Sequence, residues 1–178
     1  MKMAALTPRD ITVSTSVVGR RRLGKTVVLE AVYNRLFWEQ DAVVPIYFVF
    51  EAKPVTSTEF AEAYFTNFLR QFIAFRCKDD GMVREQRGKL PELVQMARES
   101  GEESLIVRAE IFMDFREHVE MPGVLHQLIE CAIHGPRHVM EYNRGQWLPE
   151  TPIFVMLDEF QEVLKIYYTG GTPADAVG

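Results

Sequence analysis

Close to its N-terminus the chain contains the octapeptide Gly19-Arg20-Arg21-Arg22-Leu23-Gly24-Lys25-Thr26. Its spacing is G-x-x-x-x-G-K-[ST], which is the pattern of a phosphate-binding loop. The β-branched segment at 11–18 predicts a strand before the loop, and the apolar pattern at 27–37 predicts a helix after it. A strand, a glycine loop and a helix N-terminus in this order surround an anion with backbone N–H groups.

Each fixed position of the loop has a physical role beside a triphosphate. Gly19 lets the strand turn sharply, and Gly24 lets the backbone approach a phosphate where a Cβ would collide. Lys25 supplies a charge for the outer phosphates, and the Thr26 hydroxyl is a ligand for Mg²⁺. A glycine-containing loop with basic residues and no ligand is the alternative. The predicted nucleotide-binding residues are Gly19, Arg22, Leu23, Gly24, Lys25, Thr26 and Val27.

A second motif, PIFVMLDEFQ at 152–161, consists of an apolar run that ends in two adjacent carboxylates. An apolar run without alternation predicts a parallel strand buried on both faces, and such sheets bind ligands at the carboxyl ends of their strands. Asp158 would hold Mg²⁺, and Glu159 would orient and partly deprotonate the attacking water, as a catalytic residue together with Lys25. The alternative is that Asp158 caps a helix beginning at Phe160, with Glu159 complementing the helix dipole.

The two motifs together resemble the ATPase domain that is abundant in archaea, a branch of the AAA-like, signal-transduction P-loop ATPases. The resemblance covers roughly residues 5–168, and its specific motifs lie at 18–37 and 152–162. It implies a three-layer α/β/α fold with a mostly parallel sheet, ATP and Mg²⁺ as ligands, and a conformational switch driven by nucleotide state. It assigns 19–26 as Walker A and 153–159 as Walker B.

The resemblance ends shortly after the second motif. Family members continue with a strand that carries a polar sensor residue, a fifth strand and a helical lid, whereas a short tail follows Gln161 here. The sensor strand normally lies between the phosphate-loop strand and the Walker B strand. Three explanations stay open: the chain is a fragment, a protein partner or a second copy supplies the strand, or the two motif strands pair directly.

The domain prediction is an incomplete P-loop ATPase core at 1–168 and a flexible tail at 169–178. Hydrolysis of ATP is expected in the full-length context. The alternative function is a nucleotide-gated binding or scaffold module with little or no hydrolysis. A guanine nucleotide is disfavoured because no N-K-x-D segment is present, and a dinucleotide is disfavoured because the glycine spacing differs from G-x-G-x-x-G.

Composition favours a cytoplasmic domain. A length of 178 residues with 47% hydrophobic content suits one domain with a sizeable core. The net charge of −5 disfavours a nucleic-acid partner, although Arg20–Arg22 form one basic cluster within the loop. The longest apolar stretch, 42–50, is too short to span a membrane. The isolated Cys77 and Cys131 indicate a reducing compartment.

Between the motifs, alternating elements are predicted. Residues 43–50 predict a buried strand, and Pro45 near its start suggests an edge position. Residues 58–76 predict a helix that begins at a cap formed by Ser57 or Thr58. The aromatic stripe of this helix is expected to pack in the core, with a partner groove as the alternative.

The following segments are less regular. Residues 77–103 are charged and punctuated by glycine, which predicts an exposed, mobile connector with a short helix at 91–98. A partner-docking element is the alternative for this segment. Helices are predicted at 102–120 and 122–134. His134 and His138 have i,i+4 spacing, but a Gly-Pro pair between them breaks the helix that a metal site would require, so a metal site is disfavoured there.

Overall fold

The computed structural model describes residues 24–147 and 151–167. The strand predicted at 11–18 and the tail at 169–178 lie outside the described residues. Of the predicted nucleotide-binding residues, Gly19, Arg22 and Leu23 lie outside them too. The last three residues of the phosphate-loop motif, 24–26, and the whole of the carboxylate motif at 152–161 fall within them.

The described residues form seven α-helices, four short strands and one 3₁₀ helix. In chain order they are α1 Lys25–Trp38, β1 Val44–Val49, β2 Val55–Thr56, α2 Ser57–Cys77, α3 Asp80–Arg84, α4 Leu90–Ser100, α5 Glu103–Glu117, α6 Val124–Ile133, α7 Gly135–Gly145, β3 Ile153–Asp158, the 3₁₀ helix Phe160–Lys165 and β4 Ile166–Tyr167. The strands predicted at 43–50 and before Asp158 are confirmed, as are the helices predicted at 27–37, 58–76, 102–120 and 122–134. The burial of β3 on both faces is wrong, because Phe154 and Leu157 are 39% and 40% exposed.

Two parallel strand pairs organise the described chain. β1 pairs with β3 in a register that runs from Val44 opposite Ile153 to Val49 opposite Asp158. β2 and β4 form a second, two-residue parallel pair. Because parallel strands end at the same edge, the C-terminus of β1 and Asp158 lie side by side. This edge is where sheets of this kind bind their ligands.

Helices pack against β1 from two directions. The ring of Tyr47 contacts Tyr33 of α1, with centroids 6.3 Å apart. The next residue, Phe48, contacts Tyr64 of α2, with centroids 4.9 Å apart. Successive residues of a strand point to opposite faces, so α1 and α2 lie on opposite sides of β1.

The edge of β1 that faces away from β3 is covered by α2. The Gln71 side chain accepts a hydrogen bond from the Tyr47 N–H at 2.8 Å and donates one to the Tyr47 carbonyl at 2.7 Å. Asn67 donates a further bond to the same carbonyl at 3.0 Å. Pro45 has no N–H to leave unpaired on this edge, which agrees with the edge position predicted for it.

The N-terminus of α2 is one residue earlier than predicted, and its cap is Thr56 rather than Ser57 or Thr58. The Thr56 hydroxyl accepts from the Glu59 N–H at 3.1 Å, and the Glu59 carboxylate accepts from the Thr56 N–H at 2.8 Å. This is a capping box, because each side chain satisfies the other residue's backbone donor. The prediction was off by one residue because Thr56, Ser57 and Thr58 carry similar hydroxyls.

The aromatic stripe of α2 lies in the core, as predicted. Phe65, Phe68 and Phe72 are fully buried. The ring of Phe65 stacks on Phe112 of α5 with a centroid separation of 4.0 Å. The alternative of a partner groove is therefore wrong for these three side chains.

The connector predicted at 77–103 is wrong as a whole, although α4 confirms the short helix predicted at 91–98. This segment contains α3 and α4, and α4 buries one apolar face against α2 and α5 through Leu90, Leu93, Val94 and Ala97. Arg70 of α2 also donates hydrogen bonds to the carbonyls of Arg87 and Gly88, at 3.0 and 3.2 Å. The charged and glycine residues that suggested a loop lie at the ends and on the outer face of these helices.

Candidate nucleotide-binding site

The N-terminus of α1 starts directly after a glycine in the left-handed conformation. Gly24 has φ +74°, and its carbonyl accepts the first helical hydrogen bond, from the Val28 N–H at 3.0 Å. A Cβ placed on Gly24 would meet no atom of the described residues within 4 Å. Among the described residues, glycine is therefore favoured here by its backbone conformation and not by close packing. The first turn of α1 contains no acidic residue of its own.

The two sequence motifs meet through one hydrogen bond. The Thr26 hydroxyl in the first turn of α1 donates to Oδ2 of Asp158 at 2.7 Å, across 132 residues of sequence. Thr26 is exposed, whereas Asp158 is only 5% exposed at the end of β3. The N-terminus of α1 therefore lies at the carboxyl edge of the β1–β3 pair.

Three donors surround the Asp158 carboxylate. Besides Thr26, the Tyr47 hydroxyl donates to Oδ2 at 3.0 Å, and the Glu159 N–H donates to Oδ1 at 2.9 Å. Burial alone would raise the pKa of Asp158, but these three hydrogen bonds and the positive charge of Lys25 hold it below its ordinary value. The carboxylate therefore stays ionised at neutral pH, as a metal ligand must.

Glu159 lies next to the buried carboxylate but has a different environment. Its backbone is left-handed, with φ 51°, and its exposed side chain accepts a hydrogen bond from Gln161. A non-glycine residue in this conformation costs of order 1 kcal/mol or more, and such residues concentrate at functional sites. The turn directs the chain away from the sheet immediately after Asp158.

The alternative in which Asp158 caps an α-helix is wrong. The element that follows is the 3₁₀ helix Phe160–Lys165, and its N-cap is Glu159, which makes no capping hydrogen bond through its side chain. Asp158 directs its oxygens to Thr26, Tyr47 and the adjacent N–H instead. The carboxylate therefore links α1 and β1 to the end of β3 instead of capping a helix.

The other predicted site residues in the described part lie nearby. The positive charge of Lys25 contributes to the lowered pKa of Asp158, so its side chain is within electrostatic reach of the carboxylate. Val27 is 65% exposed in the first turn of α1. The site therefore combines Gly24, Lys25, Thr26 and Val27 from one motif with Asp158 and Glu159 from the other.

The donor set suits Mg²⁺ held together with phosphate. Magnesium prefers oxygen ligands and is usually bound through one or two carboxylates, waters and substrate phosphates rather than by an all-protein cage. The Thr26 hydroxyl and the Asp158 carboxylate supply two such oxygens. Across residues 24–147 and 151–167, no group of three or more His, Cys, Asp or Glu side chains could hold a metal ion.

Sequence reasoning missed Tyr47. Its hydroxyl reaches the buried carboxylate from β1, although in the sequence it is one aromatic residue within an apolar strand. Its position could have been found only from the strand register, because Tyr47 lies opposite Met156, two residues before Asp158 on β3. That register is a tertiary property.

Comparisons with known proteins give no match: no protein-family model, no curated protein and no solved structure matches the chain. In the part of the chain that the structure describes, no helix has both the length and the apolar character needed to cross a membrane. The function has to be argued from the residues of the site.

Proposed function

We propose that this protein is a P-loop ATPase domain with a three-layer α/β/α architecture that binds Mg-ATP at the contact between α1 and β3. In this proposal the loop ending at Gly24 and the first turn of α1 surround the phosphates. Lys25 neutralises the outer phosphates, and Thr26 and Asp158 hold the metal. Glu159 activates water in the assembled protein.

The observation that carries the proposal is the 2.7 Å hydrogen bond between Thr26 and Asp158. Adjacent oxygen ligands of an octahedral Mg²⁺ with bonds of 2.0–2.1 Å are about 2.9 Å apart. The two side-chain oxygens are therefore already separated by nearly the distance that a shared ion requires. The exposed Thr26 hydroxyl and the buried Asp158 carboxylate, which the two sequence motifs predict together as magnesium ligands, are brought together by the packing of α1 on the strands.

Hydrolysis depends on a second carboxylate. Glu159 is exposed beside Asp158, where a water molecule between it and the terminal phosphate would be activated. The hydrogen bond from Gln161 engages one Glu159 oxygen, where it competes with the attacking water, and leaves the other oxygen available as a general base. This contact favours the second candidate function, a nucleotide-gated module that presents a state-dependent surface to a protein partner or a second copy and turns over little ATP.

The proposed location is the cytoplasm. Cys77 and Cys131 are both free thiols, the first exposed and the second buried. Free thiols are typical of compartments where glutathione and thioredoxin keep cysteines reduced. ATP and Mg²⁺ are the proposed ligands there, and nucleic acid is not a proposed partner of this domain.

Calorimetry of ATP binding with Mg²⁺ and with EDTA tests the proposal. We expect magnesium-dependent binding by the wild-type chain, a loss of roughly tenfold or more in affinity for Lys25→Ala, and loss of the magnesium effect for Asp158→Asn. Lys89→Ala is the matched control, because Lys89 is an exposed lysine at the start of α4. A folded wild-type chain that binds no Mg-ATP would refute the proposed function.

Turnover separates the two candidate functions. For an ATPase, Glu159→Gln should abolish phosphate release while leaving Mg-ATP binding intact, and Gln161→Ala should raise turnover by freeing the Glu159 carboxylate. For a gated module, wild type and both variants should release phosphate at the same background rate.

A further inference from the structure

Tyr47 occupies a position that neither sequence motif contains. Its hydroxyl donates to Oδ2 of Asp158, the same oxygen that accepts the Thr26 proton. Its backbone is fixed on the outer edge of β1 by hydrogen bonds with Gln71 and Asn67. The phenol is therefore attached to a rigid strand rather than to a loop.

The geometry points to Tyr47 as a positioning residue for the metal site: it holds the Asp158 carboxylate in the orientation that receives the Thr26 proton and leaves the Thr26 oxygen lone pairs to Mg²⁺. This inference rests on the proposed function and deepens it. Tyr47 itself neither binds the metal nor touches the nucleotide in this assignment. Its effect passes through Asp158.

The Asp158 carboxylate needs such a restraint. The terminal torsion of an aspartate is broad, so donors around the group have to set the direction of its oxygens. The three donors found in the described residues come from α1, from β1 and from the backbone directly after β3. In the proposed function the Thr26 oxygen is also a ligand of Mg²⁺, and the Glu159 N–H restrains only Oδ1. Tyr47 is the donor that restrains Oδ2 from a rigid strand.

The phenol stays protonated and able to donate. The reference pKa of a tyrosine phenol, about 10, lies well above neutral pH, so the hydroxyl keeps its proton. A hydrogen bond from a neutral hydroxyl to a carboxylate is charge-assisted, and is roughly twice as strong as one between neutral groups. The contact is thus strong enough to fix an orientation.

Replacement of Tyr47 by Phe removes the hydroxyl and keeps the ring that packs against Tyr33. We expect the affinity for ATP in excess Mg²⁺ to fall roughly tenfold, the value of one charge-assisted hydrogen bond, while the affinity in EDTA stays unchanged. Tyr64→Phe is the matched control, because Tyr64 is a buried tyrosine on the opposite side of β1. Equal losses with and without Mg²⁺, or no loss at all, would overturn the inference.

A double-mutant cycle without nucleotide tests the orientation directly. Thr26→Val and Tyr47→Phe are compared singly and together by urea unfolding. If Tyr47 orients the carboxylate for Thr26, removing one hydrogen bond also weakens the other. The free energy of unfolding of the double variant should then fall by less than the sum of the two single decreases. If the two donors merely compete for Oδ2, each compensates for the other and the double variant loses more.

The two experiments keep the inference and the proposed function distinguishable. A wild-type chain that fails to bind ATP refutes the proposed function. The sign of the coupling energy between Thr26→Val and Tyr47→Phe then tests, without nucleotide, whether Tyr47 orients Asp158. A wild-type chain that binds Mg-ATP, combined with competitive or absent coupling, overturns the positioning role and leaves the proposed function standing.

Discussion

At the scale of single residues, the candidate site is a buried carboxylate satisfied by three hydrogen-bond donors. A buried ionised group without partners would cost several kcal/mol, so Thr26, Tyr47 and the Glu159 N–H are what allow Asp158 to remain charged with only 5% of its surface exposed. The three donors are neutral groups, and the positive charge of Lys25 also favours the ionised carboxylate. In the proposed function, a divalent cation bound beside Asp158 would add to this stabilisation.

Gly24 offers a test at this scale with an internal control. Gly24 and Gly101 have nearly equal φ angles, +74° and +73°, and a Cβ at either would meet no described atom within 4 Å. Alanine at either position should lower the free energy of unfolding by about 1–2 kcal/mol, because both require a left-handed backbone. Only Gly24→Ala should also weaken Mg-ATP binding, measured by calorimetry. Equal effects of the two substitutions on binding would contradict a phosphate-contacting role for Gly24.

The lowered pKa of His138 predicts how the stability of the fold depends on pH. Burial lowers its pKa, as do the charges of Arg108, His134 and Arg137, and these outweigh the opposing effect of Glu141. Because the pKa in the folded state lies below the unfolded value of about 6.5, the stabilisation is present above that value and is lost as pH falls through the folded pKa.

The loss should appear as a falling midpoint of thermal unfolding below about pH 6.5. His138→Gln should flatten this fall, since a group that does not titrate replaces the imidazole. His126→Gln is the control, because His126 is an exposed histidine on α6. An unchanged pH profile for His138→Gln would show that other groups account for any acid sensitivity.

At the scale of elements, the outer edge of β1 is closed by side chains rather than by another strand. Gln71 presents an amide that accepts from and donates to the backbone of Tyr47, as a neighbouring strand would. This amide is only 1% exposed. The helix α2 therefore both packs on β1 and completes its hydrogen bonding, which fixes the strand that carries Tyr47.

Replacing Gln71 by Leu tests this role. The Tyr47 N–H would lose its partner, while its carbonyl would keep the bond from Asn67. An unsatisfied buried donor costs about 1–3 kcal/mol, which should appear as a loss in the free energy of unfolding in urea. Gln95→Leu on the outer face of α4 is the control and should change stability by less than about 0.5 kcal/mol. A cost for Gln71→Leu no larger than that of the control would show that the edge needs no amide.

At the scale of the whole molecule, one hydrophobic core joins the site to the helices. The buried cluster runs from Phe37 on α1 through the aromatic residues of α2 and Phe112 on α5 to Ile153 on β3. The elements that carry Thr26 and Asp158 therefore share their packing with helices that supply no site residue. Unfolding of this part of the chain should be a single cooperative transition.

Phe112→Ala tests that continuity. Removing a fully buried aromatic side chain stacked on Phe65 should cost about 3–5 kcal/mol. The denaturant midpoints followed by circular dichroism and by loss of Mg-ATP binding should shift together. Met121→Ala is the control, since Met121 is 55% exposed. Separate shifts of the two midpoints would mean that the site and the helices unfold independently.

The sequence by itself predicted most elements and the two motifs of the site. The strand at 153–157 and the helix after Gly24 follow from local patterns, because a short apolar run favours a strand and a helix requires a 3.6-residue period. The apolar run did not show that Phe154 and Leu157 remain exposed. Asp158, Lys25 and Thr26 were predicted as site residues because the chemistry of a phosphate and a metal restricts which side chains can bind them, and the structure places Thr26 and Asp158 in contact. The cap of α2 and the connector at 77–103 were wrong, because neighbouring hydroxyls are interchangeable in sequence and amphipathic helices can carry many exposed charges.

Only the tertiary structure determined which of these residues contact one another. The register of β1 against β3 brings Tyr47 to Asp158, and the packing of α1 brings Thr26 there across 132 residues. Neither contact follows from a local sequence pattern, because the residues lie on different elements and are brought together by packing on a shared core. Local patterns specify elements because they act over a few residues. A site assembled from three elements is specified by the energy of the whole fold.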